Sequence, residues 1–425
     1  MRAALWFLAL FAIAVAIALF AGNNQGTITV YWPPYRIDLS LNMVVLGLAA
    51  MFLLLHLALI ALSALFALPG QARRWRMQHQ ERAMHVALLD ALSHLLAGRF
   101  IRARKAAQLA LARESAVASA GEVLPYAGRW RAISHLLAAQ SAQALQDRDA
   151  REAEFQAALA AASQGDAQET REGLQLRAAR WALDDHDARG ALQWLDELPQ
   201  GTARRTIALR LRLEAARLAG KTGLALDTAR LLAKHRAFSD VAALGVVRGL
   251  ALQSLHEAHD PEQLQAAWDR LDPAECAMPE VAISAAQRML DLKGDAALAR
   301  QWLMGLWEGM ASRNTDIAPA HRSGVIRVLE QSFAQGSGAP DAQWLTRTEQ
   351  AQMANPADPG LQYLAGMTCM RLKLWGKAQQ LLRLAAGRLD DPLLARRAWR
   401  ALAQLAEQRD DPQGALQAWQ AAARE

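Results

Sequence analysis

The sequence predicts an all-α protein, in which a two-span transmembrane helical hairpin precedes an array of paired helices. Three observations support this prediction. Two long apolar runs fill about the first seventy residues, strong helix formers such as Ala, Leu, Arg and Gln dominate the remainder, and small residues recur there with a regular period. Hydrophobic residues make up 53% of the chain but aromatic residues only 6%, which argues against an extended β-rich region.

The N-terminal segment 1–72 is predicted to be a membrane anchor. Residues 3–21 are all apolar, and about 20 such residues suffice to cross a bilayer as a helix. A second apolar run at 41–68 predicts a second span, and residues 22–40 then form a short periplasmic loop. A cleaved signal peptide is the alternative interpretation of the first run, although its basic region would consist of Arg2 alone.

The loop between the two runs contains the stretch "TITVYWPPYRIDLS", from Thr27 to Ser40. Its apolar residues alternate with polar or amphipathic ones, which predicts two short strands that turn at Pro33-Pro34. The rings of Tyr31, Trp32 and Tyr35 are expected at the outer membrane interface. The alternative is that the loop docks a periplasmic or membrane partner.

Basic residues set the expected orientation. Arg73, Arg74 and Arg76 follow the second apolar run closely, whereas the loop carries no net charge. The positive-inside rule therefore places both termini in the cytoplasm and the loop outside, and the same three arginines are expected to contact the anionic membrane surface. Residues 73–113 hold nine basic and two acidic residues, so the formal net charge of +6 is concentrated in one segment. This distribution argues against a nucleic-acid partner.

Residues 73–425 are predicted to form a cytoplasmic helical repeat domain. Gly98 is followed five residues later by Ala103, and Gly220 by Ala225, as expected for a turn followed by a closely packed helix. Equivalent positions are assigned to Ala153, Ala191, Leu264, Ala299, Ala378 and Ala415. Their spacing of 34 to 39 residues, apart from wide gaps before Ala153 and after Ala299, resembles the tetratricopeptide repeat, a helix pair of 34 residues.

About nine helix pairs are expected in this tetratricopeptide-like α-solenoid. One irregular pair is predicted at roughly 321–353, and the stretch at 360–385, with Gly366, Trp375, Ala378 and Ala385, is the best copy of the repeat. Such arrays usually bind peptides or other proteins on a concave face. The sequence by itself does not rank the residues of that face.

No catalytic constellation is found, so the chain is predicted not to be an enzyme and no catalytic residue or metal ligand is assigned. Motifs for dinucleotides, phosphates, nucleophilic serines and zinc proteases are all missing. His256 and His259 could hold a metal, but a solvated helix end before "DPEQL" explains them better. Cys276 and Cys369 are interpreted as buried thiols in a reducing compartment.

Four histidines raise a haem-binding alternative. His56 lies in the middle of the second predicted span, where an ionisable residue is by default a functional hypothesis. His79, His85 and His94 lie on the cytoplasmic side near the membrane. A neutral, hydrogen-bonded His56 is the simpler reading, and no cofactor-binding residue is assigned.

The combination of a two-span hairpin with "GNNQGTITVYW" between the spans, the junction "RRWRMQHQERAMHVALLDALSHLLAGRFIRARKAA" and the helical array resembles the HemY family of proteobacterial inner-membrane proteins. The resemblance covers the whole chain and implies an association with late haem (protoporphyrin) biosynthesis. It does not extend to the unrelated flavoprotein of the same name, since the dinucleotide-binding glycine motif is missing. The expected function is a non-enzymatic scaffold that binds haem-biosynthesis enzymes. The alternatives are a haem or porphyrin carrier and a general envelope-assembly scaffold.

Overall fold

The computed structural model describes residues 11–18, 22, 26–119, 124–163, 167–312, 317–334 and 342–424, with the side chains of all of these except 64–74 and 342. The chain divides into two compact units, Met1–Arg171 and Glu172–Glu425. Most of the predicted first span at 3–21 lies outside the described residues; within it, residues 11–18 are helical and exposed.

Two antiparallel strands form the loop that follows. Strand β1 (Thr27–Trp32) pairs with β2 (Tyr35–Ser40), and the register runs from Thr27 opposite Ser40 to Trp32 opposite Tyr35. The Thr29 hydroxyl donates a 2.6 Å hydrogen bond to Asp38, its partner across the ladder. The predicted pair of strands turning at Pro33-Pro34 is therefore confirmed.

Helix α1 (Leu41–Leu96) contains 56 residues and begins directly after β2. Ser40 caps it by accepting the N–H of Met43 at 3.4 Å. Its segment Leu41–Ser63 is the one helix in the described part of the chain that is long and apolar enough to cross a membrane. At 1.5 Å per residue α1 is about 84 Å long, so the expected domain boundary at residue 72 lies inside a continuous helix.

Paired helices make up the remainder of both units. Their bounds are α2 (Phe100–Ser119), α3 (Ala127–Ala144), α4 (Arg148–Ala162), α5 (Gln168–Asp184), α6 (Ala188–Asp196), α7 (Gln200–Ala203), α8 (Thr206–Leu218), α9 (Thr222–Lys234), α10 (Asp240–His256), α11 (Pro261–Asp269), α12 (Pro273–Cys276), α13 (Pro279–Asp291), α14 (Ala296–Trp302), α15 (Met304–Ser312), α16 (Pro319–Ala334), α17 (Ala342–Ala354), α18 (Pro359–Arg371), α19 (Trp375–Ala386), α20 (Pro392–Glu407) and α21 (Pro412–Arg424).

We name the first helix of each pair A and the second B. The A helices are the C-terminal part of α1 and α3, α5, α8, α10, α13, α16, α18 and α20, and the B helices are α2, α4, α6, α9, α11, α14, α17, α19 and α21. Within the described residues this gives nine pairs, as the sequence predicts, and α16 with α17 is the expected irregular one. The short helices α7, α12 and α15 each follow a B helix.

The small residues predicted from the repeat period lie where B helices pack on their neighbours. Ala103, Ala191, Ala225, Ala299 and Ala378 are all completely buried. In each case the backbone N–H bonds to the carbonyl of the residue four positions earlier, which starts the helix. Because each side chain is a single methyl group, the helices can approach closely at these points.

The assignment of Ala153 to this position is wrong. Ala153 is exposed on α4. The equivalent residue is Arg151, whose N–H bonds to the Asp147 carbonyl at 3.0 Å, as the N–H of Ala191 bonds to the Asp187 carbonyl at 3.0 Å. Alanine is so frequent in this chain that periodicity alone selected a neighbour two residues away.

The turns before the B helices contain a residue with a left-handed backbone. Gly98 has a φ of 70° and Gly220 a φ of 66°, as expected for glycine after a helix end. Other turns use Gln146, His186, Lys293, Lys373 and Asp410 with positive φ. The glycine pattern found in the sequence therefore marks only part of a geometry that the array repeats, since an exposed L-residue can also adopt it at a cost of about 1–2 kcal/mol.

Arginine side chains tie neighbouring helices together. Arg212 donates to the Leu195 carbonyl at 3.0 Å, Arg230 to the Arg270 carbonyl at 2.9 Å and Arg388 to the Ala357 carbonyl at 2.8 Å. These carbonyls lie at or just beyond helix C-termini, where a positive charge is favourable. These three arginines therefore stabilise the packing between helices.

Helix α18 lies at the centre of the C-terminal pairs and is buried along almost its whole length. A side-chain carbon on Gly366 would approach Leu382 Cγ to 2.8 Å, so glycine is needed where α18 crosses α19. The helices α18 and α19 are the pair predicted as the best copy of the repeat, and Ala378 and Ala385 are both buried in it.

Candidate partner-binding surfaces

A groove lined by the A helices α10, α13, α16 and α20 is a concave site of the second unit. We call it the inner groove; its volume is about 500 Å³. It is lined by His256, Glu280, Ile283, Ser284, Gln287, Arg288, Asp291, Gly324, Arg327, Val328, Gln331, Leu393 and Arg397. Every one of these residues belongs to an A helix, which is the arrangement expected of the binding face of a helical repeat.

The floor of the inner groove is apolar. Ile283 is half-buried and Val328 is buried, and Leu393 adds an exposed side chain at the edge. Gly324 lies between them, and a side-chain carbon there would approach Ile283 Cδ1 to 3.2 Å. Glycine therefore keeps the floor open where α16 meets α13.

Three guanidinium groups line the walls. Arg397 Nη1 lies 2.7 Å from Glu330 Oε2, and Arg327 Nε lies 3.5 Å from Asp391 Oδ2. Arg288 instead donates to the Ala258 carbonyl at 2.9 Å, and its buried Nε has no acceptor among the described residues. The charge of Arg288 thus has no carboxylate counter-ion in the described part of the chain.

A buried polar cluster lies behind Arg397. Burial alone would lower the pKa of Arg397, but its hydrogen bond to Glu330 and the charges of Glu330 and Asp391 together outweigh burial and raise the pKa. Burial, together with the charge of Glu330, also raises the pKa of Tyr363, whose hydroxyl is completely buried and lacks a hydrogen bond of good geometry. Both groups therefore keep their protons throughout the physiological range, and the cluster holds α16, α18 and α20 in register.

The other end of the inner groove has acidic and neutral groups. Glu280 pairs with Arg248 at 2.8 Å and lies 3.7 Å from the His321 ring. Ser284 and the His256 ring lie 3.4 Å apart. An apolar floor between walls of both charge signs suits an extended polypeptide better than a small apolar molecule.

The second candidate surface lies in the first unit, at the turn between α1 and α2. We define the turn surface as Leu96, Arg99, Ile101, Arg102, Lys105 and Leu145. A shallow depression of about 460 Å³ lies within it, next to Gly98 and Phe100. Leu96 is 80% exposed and Ile101 61% exposed, so large apolar side chains and cations share one face.

The basic residues next to the apolar segment lie on α1. Arg76 is exposed, while the side chains of Arg73 and Arg74 lie outside the described residues. The more distant Arg104 forms a 2.9 Å ion pair with Asp147, the N-cap of α4. The contact of Arg73, Arg74 and Arg76 with an anionic membrane stays a prediction.

The histidines proposed as haem ligands are spread along α1. The His85 ring nitrogen Nδ1 donates a 2.7 Å hydrogen bond to the Glu81 carbonyl, and the ring packs with its centroid 4.8 Å from that of Trp130. His79 stacks on Trp75, and His56 stacks on Phe52. Glu81 also accepts a hydrogen bond from Tyr126, which raises the pKa of that phenol to about 12. These contacts give His85 a packing role between α1 and α3.

Other candidates from the sequence lie apart from one another. His256 ends α10 and lines the inner groove, whereas His259 is in the following turn, where its N–H bonds to Gln263. Cys369 is buried as expected, but Cys276 is only half-buried. Burial raises the pKa of both thiols, which keeps them in the less reactive protonated form.

The sequence interpretation missed the residues of the inner groove. One signal was available: Glu280, Ser284, Gln287, Arg288 and Asp291 recur at steps of three and four residues on α13, between apolar positions. Such a polar stripe also occurs on any solvated helix. Only the neighbouring A helices turn this stripe into one wall of a groove.

Comparison with known proteins identifies the first part of the described chain. Residues 26–146 match the family model described as the HemY protein N-terminus. The match covers the strand pair, all of α1, α2 and α3, and over these residues it confirms the resemblance drawn from the sequence. No curated protein sequence matches the chain.

Two solved structures show a weak similarity. The Naa15/Naa10 complex bound to HypK-THB is 12% identical over 77% of this chain with a TM-score of 0.23, and this chain spans 57% of its length. The tetratricopeptide repeat domain of P58(IPK) is 13% identical over 77% of this chain and 99% of that domain, with a TM-score of 0.22. Both TM-scores are too low to support a conclusion about fold or partners.

Proposed function

We propose that this chain, a member of the HemY family by its residues 26–146, is a non-enzymatic scaffold that is anchored in the bacterial inner membrane and binds partner proteins through its helix pairs. The inner groove is the observation that carries the proposal. Four A helices contribute to it, its floor is apolar, and its walls present arginine, glutamate and histidine side chains. Helical repeats that expose such a face on their first helices typically bind polypeptides.

The membrane part of the proposal rests on α1. Its apolar segment Leu41–Ser63 has a mean hydropathy of 2.7 and none of it is buried. With the apolar residues 3–21 as a second span, both termini lie in the cytoplasm and the strand pair β1–β2 lies outside. Because α1 continues without interruption to Leu96, it would connect the bilayer directly to the first helix pair.

The partners proposed are enzymes of late haem biosynthesis. This step depends on the family resemblance, and the chemistry of the groove itself does not specify a pathway. The test is affinity purification of the full-length protein in mild detergent, followed by mass spectrometry. Recovery of terminal haem-pathway enzymes supports the proposal. A pigmented protein with a Soret band supports a haem or porphyrin carrier instead, and recovery of envelope-assembly proteins alone supports a general scaffold.

Variants of the inner groove sharpen this test. Replacing Ser284 by Trp would fill the groove without changing its charge, because Ser284 lines the groove and both side chains are uncharged. We expect S284W to lose the partners that the wild type recovers. A matched control is Q156W on α4, an exposed position outside the groove. Retention of every partner by S284W would exclude the inner groove as the binding site.

A further inference from the structure

We propose that the turn surface (Leu96, Arg99, Ile101, Arg102, Lys105 and Leu145) is a second docking site, and that its occupant is an acidic segment of a partner protein with apolar side chains. The turn surface belongs to the first unit, whereas the inner groove lies in the second. The proposal depends on the proposed membrane anchor only where the distance between the turn surface and the bilayer is used.

The turn surface carries exposed positive charge. Arg99, Arg102 and Lys105 are exposed, and none of them forms an ion pair with a described residue. Arg99 and Arg102 line the depression together with Gly98, Phe100, Ile101 and Leu145, a set that contains two cations and no acid. The surface therefore complements a negatively charged partner, in contrast to the inner groove, which is lined by both arginine and acidic residues.

The turn surface also exposes large apolar side chains. Ile101 is 61% and Leu145 39% exposed, and both line the depression, while Leu96, two residues before Gly98, is 80% exposed. Single exposed leucines are common on protein surfaces, but a contiguous apolar patch with a charged rim is typical of an interaction site. A partner that supplies both carboxylates and apolar side chains would satisfy the whole surface.

The start of α2 gives an independent indication. Five B helices begin at an aspartate whose side chain accepts a backbone N–H of the first turn: Asp147, Asp187, Asp260, Asp295 and Asp411. In α2 the equivalent residue is Arg99, whose carbonyl accepts the N–H of Ala103, and the first turn has no acidic residue. Helix α9 likewise begins at a cation, Lys221, without an acid in its first turn, but α2 has a second cation, Arg102, in that turn. Cations at a helix N-terminus oppose the helix dipole, so this arrangement costs stability in the free protein. A bound carboxylate would offset that cost.

Distance argues for a protein rather than a membrane as the occupant. Leu96 lies 33 residues beyond Ser63 on the continuous helix α1, a separation of about 50 Å along its axis. Electrostatic attraction to a bilayer fades within about 8 Å at physiological salt. An anionic leaflet would therefore have little effect on Arg99, Arg102 and Lys105.

The experiment selects peptides with the full-length protein in nanodiscs of phosphatidylcholine. A random twelve-residue peptide library is displayed, and the selected peptides are measured against three variants. The first, R99Q/R102Q/K105Q, removes the charge. The second, L96S/I101S, removes the apolar patch. The third, R189Q/R217Q/R400Q, is a control that removes three exposed arginines elsewhere.

We expect the selected peptides to be rich in Asp and Glu and to contain large apolar residues. Their affinity should fall at least tenfold for the first two variants and stay unchanged for the control. The midpoint of thermal unfolding of the charge variant should equal or exceed that of the wild type, because the cations no longer oppose the α2 dipole. This readout separates loss of binding from loss of structure.

Three results would overturn the proposal. The selected peptides could lack acidic residues, or they could bind the wild type and both surface variants equally. Alternatively, no peptide could be selected while R99Q/R102Q/K105Q abolishes co-flotation with phosphatidylglycerol vesicles, which would make the turn surface a membrane contact. None of these results depends on haem-pathway partners, so failure here is distinguishable from failure of the proposed scaffold function.

Discussion

Arg397 on α20 and Glu330 on α16 are 67 positions apart in the sequence, yet their Nη1 and Oε2 atoms lie 2.7 Å apart in the structure. The Glu330 side chain is 9% exposed and the Arg397 side chain 44% exposed. The pair crosses over the buried helix α18 and forms one wall of the inner groove. Stability of the C-terminal pairs and shape of the groove therefore depend on the same contact.

Replacing Arg397 by Gln should destabilise the second unit by about 1–3 kcal/mol. Removing one partner leaves Glu330 buried without a counter-ion, and the half-exposed position of Arg397 keeps the cost below that of a fully buried pair. The double variant R397Q/E330Q should recover part of the loss. Urea unfolding of the four proteins in this cycle measures the coupling, and strictly additive effects would show that the pair does not interact.

Replacing either of two glycines that lie three residues apart by alanine should change the stability of the protein in opposite directions. Gly220 has a φ of 66°, so G220A should destabilise the protein by about 1–2 kcal/mol. Gly223 lies within α9 at negative φ, so G223A should stabilise it by about 0.5–1 kcal/mol. Neither new methyl group would meet an atom within 4 Å, so the difference reports backbone conformation alone. Thermal unfolding of both variants is the measurement, and a shift of the same sign for both would contradict the turn geometry.

The contact between α3 and α4 should weaken in acid. The His135 ring nitrogen Nδ1 lies 2.7 Å from Glu154 Oε2, and this hydrogen bond lowers the pKa of Glu154 below its usual 4.5. A lowered folded-state pKa means that the unfolded chain binds more protons. The contribution of the His135–Glu154 contact to the free energy of unfolding is therefore present above pH 4.5, and it is lost as the pH falls through the pKa of Glu154 in the folded protein.

Hydrogen exchange of α3 and α4 between about pH 5 and pH 3, corrected for intrinsic rates, tests this expectation. As the pH is lowered, the protection of the α3 and α4 amides should decrease in the wild type and should decrease less in E154Q. The control is E152Q, an exposed glutamate on the same helix whose hydrogen bond goes to Gln156. An E154Q profile identical to that of the wild type would show that the contact does not titrate.

Reporter fusions should give opposite results at two points of the chain. A reporter after Glu425 should be active only if it is a cytoplasmic type, and one inserted near Pro34, in the turn between β1 and β2, only if it is a periplasmic type. The reason is the cluster of Arg73, Arg74 and Arg76 beside an uncharged loop. The reverse pattern would invert the orientation, and cytoplasmic activity at both sites would reduce the anchor to a surface association.

The proximal arginines should dominate any binding to anionic vesicles. We expect a fragment that begins just before Arg73 to bind them weakly and to release them at high salt, with R73Q/R74Q/R76Q losing most of the binding. The distal variant R102Q/R104Q/K105Q should lose less, since Arg104 is already paired with Asp147. A larger effect of the distal set in a vesicle flotation assay would require the first helix pairs to lie along the bilayer.

Local rules were enough to predict the strand pair, the long apolar segment and the number of helix pairs. Alternation of side chains around Pro33-Pro34 fixes which residues can pair as strands, and an apolar run of sufficient length can only be a helix in a membrane or a core. The repeat period was visible because each pair needs a small residue where its B helix packs. The same rule failed at Ala153, because alanine is also frequent on exposed helix faces and sequence spacing does not distinguish the two.

The local elements could be predicted from the sequence alone: the apolar runs, the strand pair, the paired helices and the glycine turns. The continuation of α1 through the expected boundary could not be predicted in this way, nor could the assembly of Glu280, Arg288, Arg327 and Arg397 into one groove. Burial and turns are set by residues within one helix pair. A groove is set by the angle between successive pairs, which depends on contacts such as Arg397 with Glu330 that are distant in the sequence.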